Sequence, residues 1–243
     1  MMQEPRYWSS WKGRVIRAIA LDGIYTKNGI HEATGLTESR LETVLDEMLK
    51  SNLLKTMWKE RYWVNSSELV NEYREFFEKL QASLREWLTG WIKHEGIDFE
   101  SDHFFLEDRL LEELSIRLIE QAKVEILVAN PFVERCHLSN ALMEASKKGI
   151  RVRLITRNPG LDRSQYLKKK QDYHTKLKEK GVTVAYDNAV HAKLTVVDRA
   201  IAVVSSMNFY ASSSGGASWE TGIVSLEEIV VQQIARSILN RFE

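Results

Sequence analysis

The spacing of hydrophobic residues predicts three short helices and a hairpin in the first part of the chain. Residues 13–22 carry apolar positions at helical spacing, and a second short helix runs into Gly35, a natural C-cap. Thr37 is the predicted N-cap of a third helix. The segments LLKTMW and RYWV then alternate apolar and polar residues, which predicts a β-hairpin. We therefore expect residues 1–65 to form a small helical domain that ends in a hairpin.

One long helical pattern follows and begins at Ser66 or Ser67. Its apolar residues step by three or four positions, a spacing close to a hendecad that keeps one seam nearly straight. The seam consists of Leu69, Tyr73, Phe76, Leu80, Leu84, Trp87 and Trp91. It can pack against the same helix of a second copy or against the body of the next domain. We expect residues 66–103 to be a linker made of this helix and an acidic loop.

Helical and strand patterns alternate through the remaining residues, 104–243. A helix is predicted from Leu106 to Gln121, and strands are predicted at VEILVAN, RVRLIT, VTVAYD, AKLTVVD, AIAVVSS and TGIVSL. Helices are predicted at 140–148, 164–180 and 227–240. This alternation predicts an α/β sandwich with a largely buried mixed sheet.

Composition and charge exclude several classes of protein. Cys136 is the only cysteine, so neither an intrachain disulfide nor a cysteine-based zinc cluster can form. The net charge is zero, but residues 66–122 hold fourteen Asp/Glu against six Lys/Arg. Residues 147–180 hold twelve Lys/Arg against three Asp/Glu. The basic segment is either a landing surface for a polyanion or a solvated helix face.

The chain contains no apolar stretch of the kind that enters a membrane. No window reaches the roughly 18 apolar residues that span a bilayer, and the first residues contain no signal-like apolar run. We expect a cytoplasmic protein that does not associate with membranes.

The strongest chemical signal is the stretch HAKLTVVD, followed after six residues by SSMN. Alternate residues of a strand share a face, so His191 and Lys193 are predicted to project together. The next strand is expected to bring Ser206 and Asn208 to the same end. A nucleophile, a cation and hydrogen-bond donors would then surround one phosphate. The combined pattern arises by chance in about one chain in ten thousand of this length.

This pattern, HxKxxxxD followed by SxN, resembles the signature of the phospholipase D superfamily over about residues 104–243. Ser205 stands where that family usually has glycine. The resemblance implies a homodimer, because the family's active site uses two such motifs and this chain has one. It also implies that His191 of one copy attacks phosphorus to form a phosphohistidine, while His191 of the other protonates the leaving oxygen.

The same resemblance implies roles for the neighbouring residues. Lys193 and Asn208 would stabilise charge on the phosphoryl oxygens, and Ser206 would add a donor. Glu220 would fix the tautomer of His191, and Asp198 would be structural or lie behind the reacting groups. The scheme requires no metal and no cofactor.

The first sixty-five residues resemble a winged helix-turn-helix, with IHEATGLTESRLETVLDEMLKSNLL similar to its middle part. Candidate phosphate contacts are Arg14, Arg17, Lys27, Arg40, Lys55, Lys59 and Arg61. The exposed face of the third helix carries Glu38, Glu42, Asp46 and Glu47, which phosphates would repel. The module is therefore either a DNA-binding domain or a protein-protein contact domain.

These observations predict a metal-independent nuclease with nucleic acid as its partner, DNA being favoured over RNA. Lys168, Lys169 and Lys170 on the basic helix are further candidate nucleic-acid contacts. The alternatives are a winged-helix transcription regulator whose phospholipase-D-like domain binds a ligand, and a phospholipid phosphodiesterase.

Overall fold

The chain forms two compact units. The computed structural model describes residues 10–57, 61–65, 67–97, 101–161, 167–213 and 217–242. The units are Met1–Leu80 and Gln81–Phe242, and the division falls within one long helix.

The first unit has the predicted order of three helices and a hairpin. Its elements are α1 (Trp11–Ala20), α2 (Lys27–Thr34), α3 (Glu38–Lys50), β1 (Leu54–Met57) and β2 (Arg61–Val64), followed by α4 (Ser67–His94), which continues into the second unit. The hydroxyls of Ser10 and Thr26 accept hydrogen bonds from the first turns of α1 and α2. Gly35 ends α2 with a φ of 67°, a conformation that favours glycine. The predicted elements are confirmed, whereas their assignment to a winged helix stays a prediction.

The seam of α4 contributes to the core of each unit. Leu69 and Tyr73 belong to the core of the first unit, and Leu84 and Trp91 belong to that of the second. Trp87 is only half-buried, whereas Leu88 and Ile92, outside the predicted seam, are fully buried. The buried stripe is therefore wider than the predicted one, as expected of a helix that packs on a domain body.

The second unit is an α/β sandwich around a mixed sheet. Its elements are β3 (His103–Glu107), α5 (Asp108–Gln121), β4 (Glu125–Ala129), α6 (His137–Lys147), β5 (Arg151–Thr156), a 3-10 turn (Pro159–Leu161), α7 (Leu167–Glu179), β6 (Thr183–Tyr186), β7 (Leu194–Val197), β8 (Ile201–Ser205), β9 (Thr221–Ser225) and α8 (Glu228–Leu239). The strand order among the described residues is β3-β9-β8-β7-β4-β5-β6. β4, β5 and β6 are parallel, and the other neighbours are antiparallel. The predicted mixed α/β fold is confirmed.

Alternation along β4 explains the layers. Ile126 and Val128 enter the core that α5 and α6 cover, while Leu127 and Ala129 enter the core that α8 covers. Both faces of the strand are buried, as expected for a central strand between helices. None of the helices in the described part of the chain combines the length and the apolarity that a bilayer crossing requires.

The prediction of a loop and a helix start at residues 103–107 is wrong. These residues form β3, which pairs with β9 in the register Phe105↔Ile223. The strand alternates exposed and buried residues, but its partner lies more than a hundred positions away in sequence. The run of acidic residues before it and the helical pattern after it concealed the strand.

Candidate active site

One edge of the large sheet brings together the residues of the predicted site. The carboxyl ends of the parallel strands β4, β5 and β6 lie at this edge. β7 runs against β4, so its first residue, Leu194, lies opposite Ala129 at the same edge. β8 ends there, and β9 begins there. Open α/β sheets bind their ligands at such an edge.

His191 and Lys193 lie immediately before β7, not within it. The Lys193 ammonium donates a hydrogen bond to the carbonyl oxygen of His191 at 3.1 Å. The backbone N–H of Ser205 donates to the Lys193 carbonyl oxygen at 3.1 Å, which continues the β7–β8 ladder by one step. The His191 side chain is exposed. The sheet therefore fixes the backbone of this segment and leaves the imidazole open to a ligand.

Glu220 anchors the neighbouring part of the site. Its carboxylate accepts hydrogen bonds from the hydroxyls of Ser206 and Ser213, and the residue is buried. The backbone N–H of Thr221 donates to the Ser206 hydroxyl at 3.0 Å. Ser206 and Ser213 are separated by a loop in the sequence, and the shared carboxylate brings them together. The cluster is held in one geometry because every hydroxyl in it has a partner.

Asn208 lies beside this cluster. Its backbone N–H donates to the Ser213 hydroxyl at 3.0 Å, and its side-chain N–H donates to the Tyr210 hydroxyl at 3.5 Å. Its Oδ1 atom is buried and has no hydrogen-bond partner among the described residues. An unsatisfied buried acceptor costs about 1–3 kcal/mol, and such groups are typical of functional sites.

The charges around Lys193 act in opposite directions. Partial burial lowers the pKa of Lys193, the Glu220 carboxylate raises it, and the Arg157 guanidinium lowers it. Lys193 therefore lies between one anion and one cation. A second cation close to Lys193 suits an anionic ligand, because each positive charge disfavours the other until a negative group binds.

Asp198, the last residue of the motif, lies at the opposite end of β7. Its carboxylate accepts hydrogen bonds from the backbone N–H groups of Lys123, Val124 and Glu125, each at 2.8 Å. Burial raises the pKa of Asp198 to about 6 against these three bonds. Asp198 and Arg199 have φ of 49° and 51° and form the turn between β7 and β8. Asp198 therefore joins the start of β4 to this turn and is remote from His191.

The buried Glu125 stabilises the turn between β7 and β8 at the same end of β7. It accepts a hydrogen bond from Arg199 Nε at 2.6 Å and forms a second ion pair with Arg151. An arginine with positive φ is unusual, and the ion pair with a buried carboxylate helps to hold it there.

The structure brings most of the predicted catalytic residues together but not in every predicted relationship. Lys193, Ser206, Asn208 and Glu220 share one end of the sheet with His191. Among the described residues, no hydrogen bond joins Glu220 to His191; the Glu220 carboxylate accepts from the hydroxyls of Ser206 and Ser213 instead. Sequence reasoning missed Ser213 and Arg157. The Ser-rich loop that contains Ser213 was the one available signal, and nothing in the sequence around Arg157 indicated its position.

The candidate nucleic-acid contacts of the first unit have mixed environments. Arg14, Lys55 and Arg61 are exposed, and Arg40 is exposed with its guanidinium 3.8 Å from the centre of the Trp11 ring. Lys59 lies outside the described residues.

Two of these candidates are less available to phosphate than the others. Arg17 is buried, with 9% of its surface exposed, so its selection as a contact is wrong. Lys27 forms an ion pair with Glu42 at 2.5 Å, and this carboxylate raises the pKa of Lys27. Helical periodicity places Arg17 with the buried apolar residues of α1, which explains why its side chain does not face solvent.

The three candidate lysines of the basic helix α7 also differ in their environments. Lys168 and Lys169 are exposed, whereas Lys170 is half-buried and forms an ion pair with Glu134 at 3.0 Å. Across the described residues, no group of three His, Cys, Asp or Glu side chains could hold a metal ion.

Comparisons with known proteins identify the fold family. A family model described as cardiolipin synthase, PLD-like domain, matches residues 115–242. Nuc of Salmonella typhimurium, a phospholipase D family member, is 17% identical with a TM-score of 0.49, covering 58% of this chain and 93% of Nuc. NucT of Helicobacter pylori is 12% identical with a TM-score of 0.44, and the similarity covers 57% of this chain and 96% of NucT.

A third solved structure is similar over a greater length. TrmBL2, described as an archaeal chromatin protein with a novel mode of DNA binding, is 15% identical with a TM-score of 0.42. The similarity covers 96% of this chain and 91% of TrmBL2. A comparison with curated proteins found no match. The family model covers more than half of the 243 residues of this chain. The chain therefore belongs to the family described as cardiolipin synthase, PLD-like domain, within the phospholipase D superfamily.

Proposed function

We propose that the protein is a metal-independent phosphodiesterase, a nuclease that cleaves DNA or RNA through a phosphohistidine intermediate in a homodimeric site. One observation carries the proposal: an exposed His191, Lys193 and the Ser206–Asn208 segment lie together at one edge of the sheet. A nucleophile, a cation and donors within one small region suit a phosphodiester and its transition state.

The reaction proceeds in two displacements. A neutral ring nitrogen of His191 attacks phosphorus, the bond from phosphorus to the leaving oxygen breaks, and His191 of the partner subunit gives its proton to that oxygen. The partner's imidazole then removes a proton from water, and the resulting hydroxide attacks phosphorus and releases His191. Lys193 and the Asn208 amide stabilise the negative phosphoryl oxygens in both steps. Each proton and electron pair has a destination on the protein, the substrate or water.

An exposed row of apolar residues supports the proposal that two copies of the chain associate. Phe105, Ile223 and Val204 are paired across β3, β9 and β8, and each is 41–58% exposed. Directly paired residues on adjacent strands share one face, so these side chains form a continuous patch. The patch adjoins Ser205 and Ser206, which follow Val204 in sequence. A second copy that covers it would bring a second motif close to the first.

A cleavage assay tests the chemistry. Labelled single-stranded and double-stranded DNA and RNA are incubated with the protein in excess EDTA, with phospholipid vesicles in parallel because the family model describes a cardiolipin synthase. We expect nucleic acid to be cleaved, and His191→Ala to reduce the rate at least about 1,000-fold. His137→Ala, which removes another exposed histidine, is the control and should have no effect. Cleavage of the lipid alone, or of no substrate, would refute the nuclease proposal.

The same assay tests the dimer. We expect Ile223→Glu to give a monomer in analytical ultracentrifugation and to lose cleavage, because a buried charge without a partner opposes association. Ile229→Glu changes an isoleucine that is 67% exposed on α8 and should leave both properties intact. A fully active Ile223→Glu monomer would refute the shared site.

A further inference from the structure

A cleft opens at the same sheet edge as the candidate active site, and its lining does not include His191. It has a volume of about 510 Å³, which lies in the range of pockets that bind small molecules. Its lining includes Phe132, Thr156, Arg157, Asn158, Lys170 and His174. Thr156 ends β5, and the others follow β4 or β5 or lie on α7. The cleft therefore occupies the position where open α/β sheets receive ligands.

Arg157 links this cleft to the active site. Its Nε donates a hydrogen bond at 2.9 Å to the carbonyl oxygen of Val190, the residue before His191. Its charge also lowers the pKa of Lys193. Among the described residues, the two terminal amino groups of Arg157 have no hydrogen-bond acceptor. The side chain is thus fixed at one nitrogen and presents four N–H donors.

Phe132 offers a flat apolar surface beside this guanidinium. The ring is 40% exposed, and its centre lies 5.2 Å from the Arg157 guanidinium carbon. Tyr210 contacts the ring edge, with 6.4 Å between centres. The loop is held in place because the Phe132 carbonyl oxygen accepts the Phe209 N–H at 3.1 Å. An exposed ring on a fixed backbone can stack on a ligand with little loss of conformational entropy.

The remaining groups leave Arg157 as the main uncompensated charge. Lys170 is paired with Glu134 at 3.0 Å. His174 is 4% exposed, its Nε2 donates to the Val133 carbonyl oxygen at 2.9 Å, and its Nδ1 is buried with no partner among the described residues. Burial lowers the pKa of His174, which favours the neutral form of its ring. The cleft therefore matches a ligand that combines one anionic group with one planar ring.

We propose that this cleft binds the nucleotide adjacent to the scissile phosphodiester of a single-stranded nucleic acid, with its base on Phe132 and its phosphate on Arg157. The inference rests on the proposed nuclease function and specifies its substrate class. Bases in a duplex are stacked on each other and cannot lie on Phe132, whereas an unpaired base can. The Val190 contact makes Arg157 a positioning residue that sets the distance from the bound nucleotide to His191.

Equilibrium binding tests the cleft without relying on cleavage. A fluorescent single strand of about ten nucleotides, and the matching duplex, are titrated with the full chain carrying His191→Ala. Adding Phe132→Ala is expected to weaken single-strand binding about tenfold and to change duplex binding less than about twofold. Ile229→Ala, which shortens another exposed apolar side chain of the same unit, is the control and should change neither.

The contribution of Arg157 has its own signature. Arg157→Gln should weaken single-strand binding about fivefold and reduce its salt dependence by about one ion. Arg117→Gln removes an exposed arginine of α5 and should preserve both values. Circular dichroism and thermal melting establish that each variant is folded. If Phe132→Ala melts early, Phe132→Leu and Phe132→Trp replace it, with weaker binding expected for leucine and full binding for tryptophan.

The outcomes separate the two proposals. Tenfold weaker binding in Phe132→Ala, with no cleavage by the wild type, would support the cleft and refute the nuclease. Cleavage by the wild type, with unchanged affinity in Phe132→Ala and Arg157→Gln, would refute the cleft alone. Equal loss of single-strand and duplex affinity would overturn the single-strand assignment. Binding of anionic phospholipid vesicles in place of oligonucleotides would refute both.

Discussion

The two ends of β7 carry the two halves of one sequence motif in opposite environments. At one end, His191 is exposed and Lys193 is half-buried. At the other, Asp198 is fully buried and accepts three backbone hydrogen bonds, and Arg199 is paired with Glu125. The motif therefore consists of an accessible pair and a buried anchor joined by one strand. In the proposed mechanism the accessible pair reacts, and the anchor fixes the strand so that this pair stays accessible without becoming mobile.

The largest expected effect is a difference in stability between variants at the two ends of β7. Asp198→Ala leaves three backbone N–H groups without an acceptor, so we expect the free energy of unfolding to fall by about 3 kcal/mol or more. Cleavage per folded molecule should be largely retained. Urea denaturation and active-site-normalised rates measure the two quantities. His191→Ala is the comparison and should have the reverse pattern, normal stability with no cleavage. A stable but inactive Asp198→Ala protein would place Asp198 with the chemistry.

The pH dependence of stability sharpens the same contrast. Burial raises the pKa of Asp198 to about 6, above its value in the unfolded chain. The folded protein therefore binds more protons between about pH 4 and 6, and stability should fall as the pH rises through this window. The expected contribution is on the order of 3 kcal/mol. Denaturation of the wild type and of Asp198→Asn at several pH values isolates it. A rise in stability over this window would mean that the three N–H donors outweigh burial.

Local patterns in the sequence were sufficient to predict how residues are placed at the His191 end of β7. The sequential strands β7 and β8 pair directly, so side-chain alternation and the short connection between them bring Ser206 towards Lys193. The mixed sheet and most of its elements were predictable for the same reason. His191 and Lys193 are only two positions apart in the motif, so local sequence was enough to predict that they lie together.

Residues that meet across long sequence distances were not predictable. Glu220 is held by Ser206 and Ser213 instead of by a contact with His191, and Arg157, which follows β5, donates to the carbonyl oxygen of Val190 more than thirty positions later. β3 was missed because its partner β9 comes much later in the chain. Side-chain hydrogen bonds of this kind depend on tertiary packing, which local propensity and periodicity do not encode.

The smallest expected effect tests the electrostatic balance at the open end of β7. Glu220 raises the pKa of Lys193, and Arg157 lowers it. We therefore expect Glu220→Gln to decrease the pKa of Lys193 and Arg157→Gln to increase it. Each change should be less than about 1 pH unit, because Lys193 is half-exposed and water screens both charges. Removing a cation from the far end, in Arg151→Gln, should leave the titration of Lys193 unchanged.

Lysine side-chain NMR, with the Lys193 signal assigned from Lys193→Arg, measures these values without a substrate. Two shifts in the same direction would mean that burial, altered by both substitutions, controls Lys193. Opposite shifts would mean that the ammonium responds to individual charges at the site. In that case an arriving phosphate, which adds negative charge where Glu220 and Arg157 now oppose each other, would itself favour the charged form of Lys193 that stabilises it.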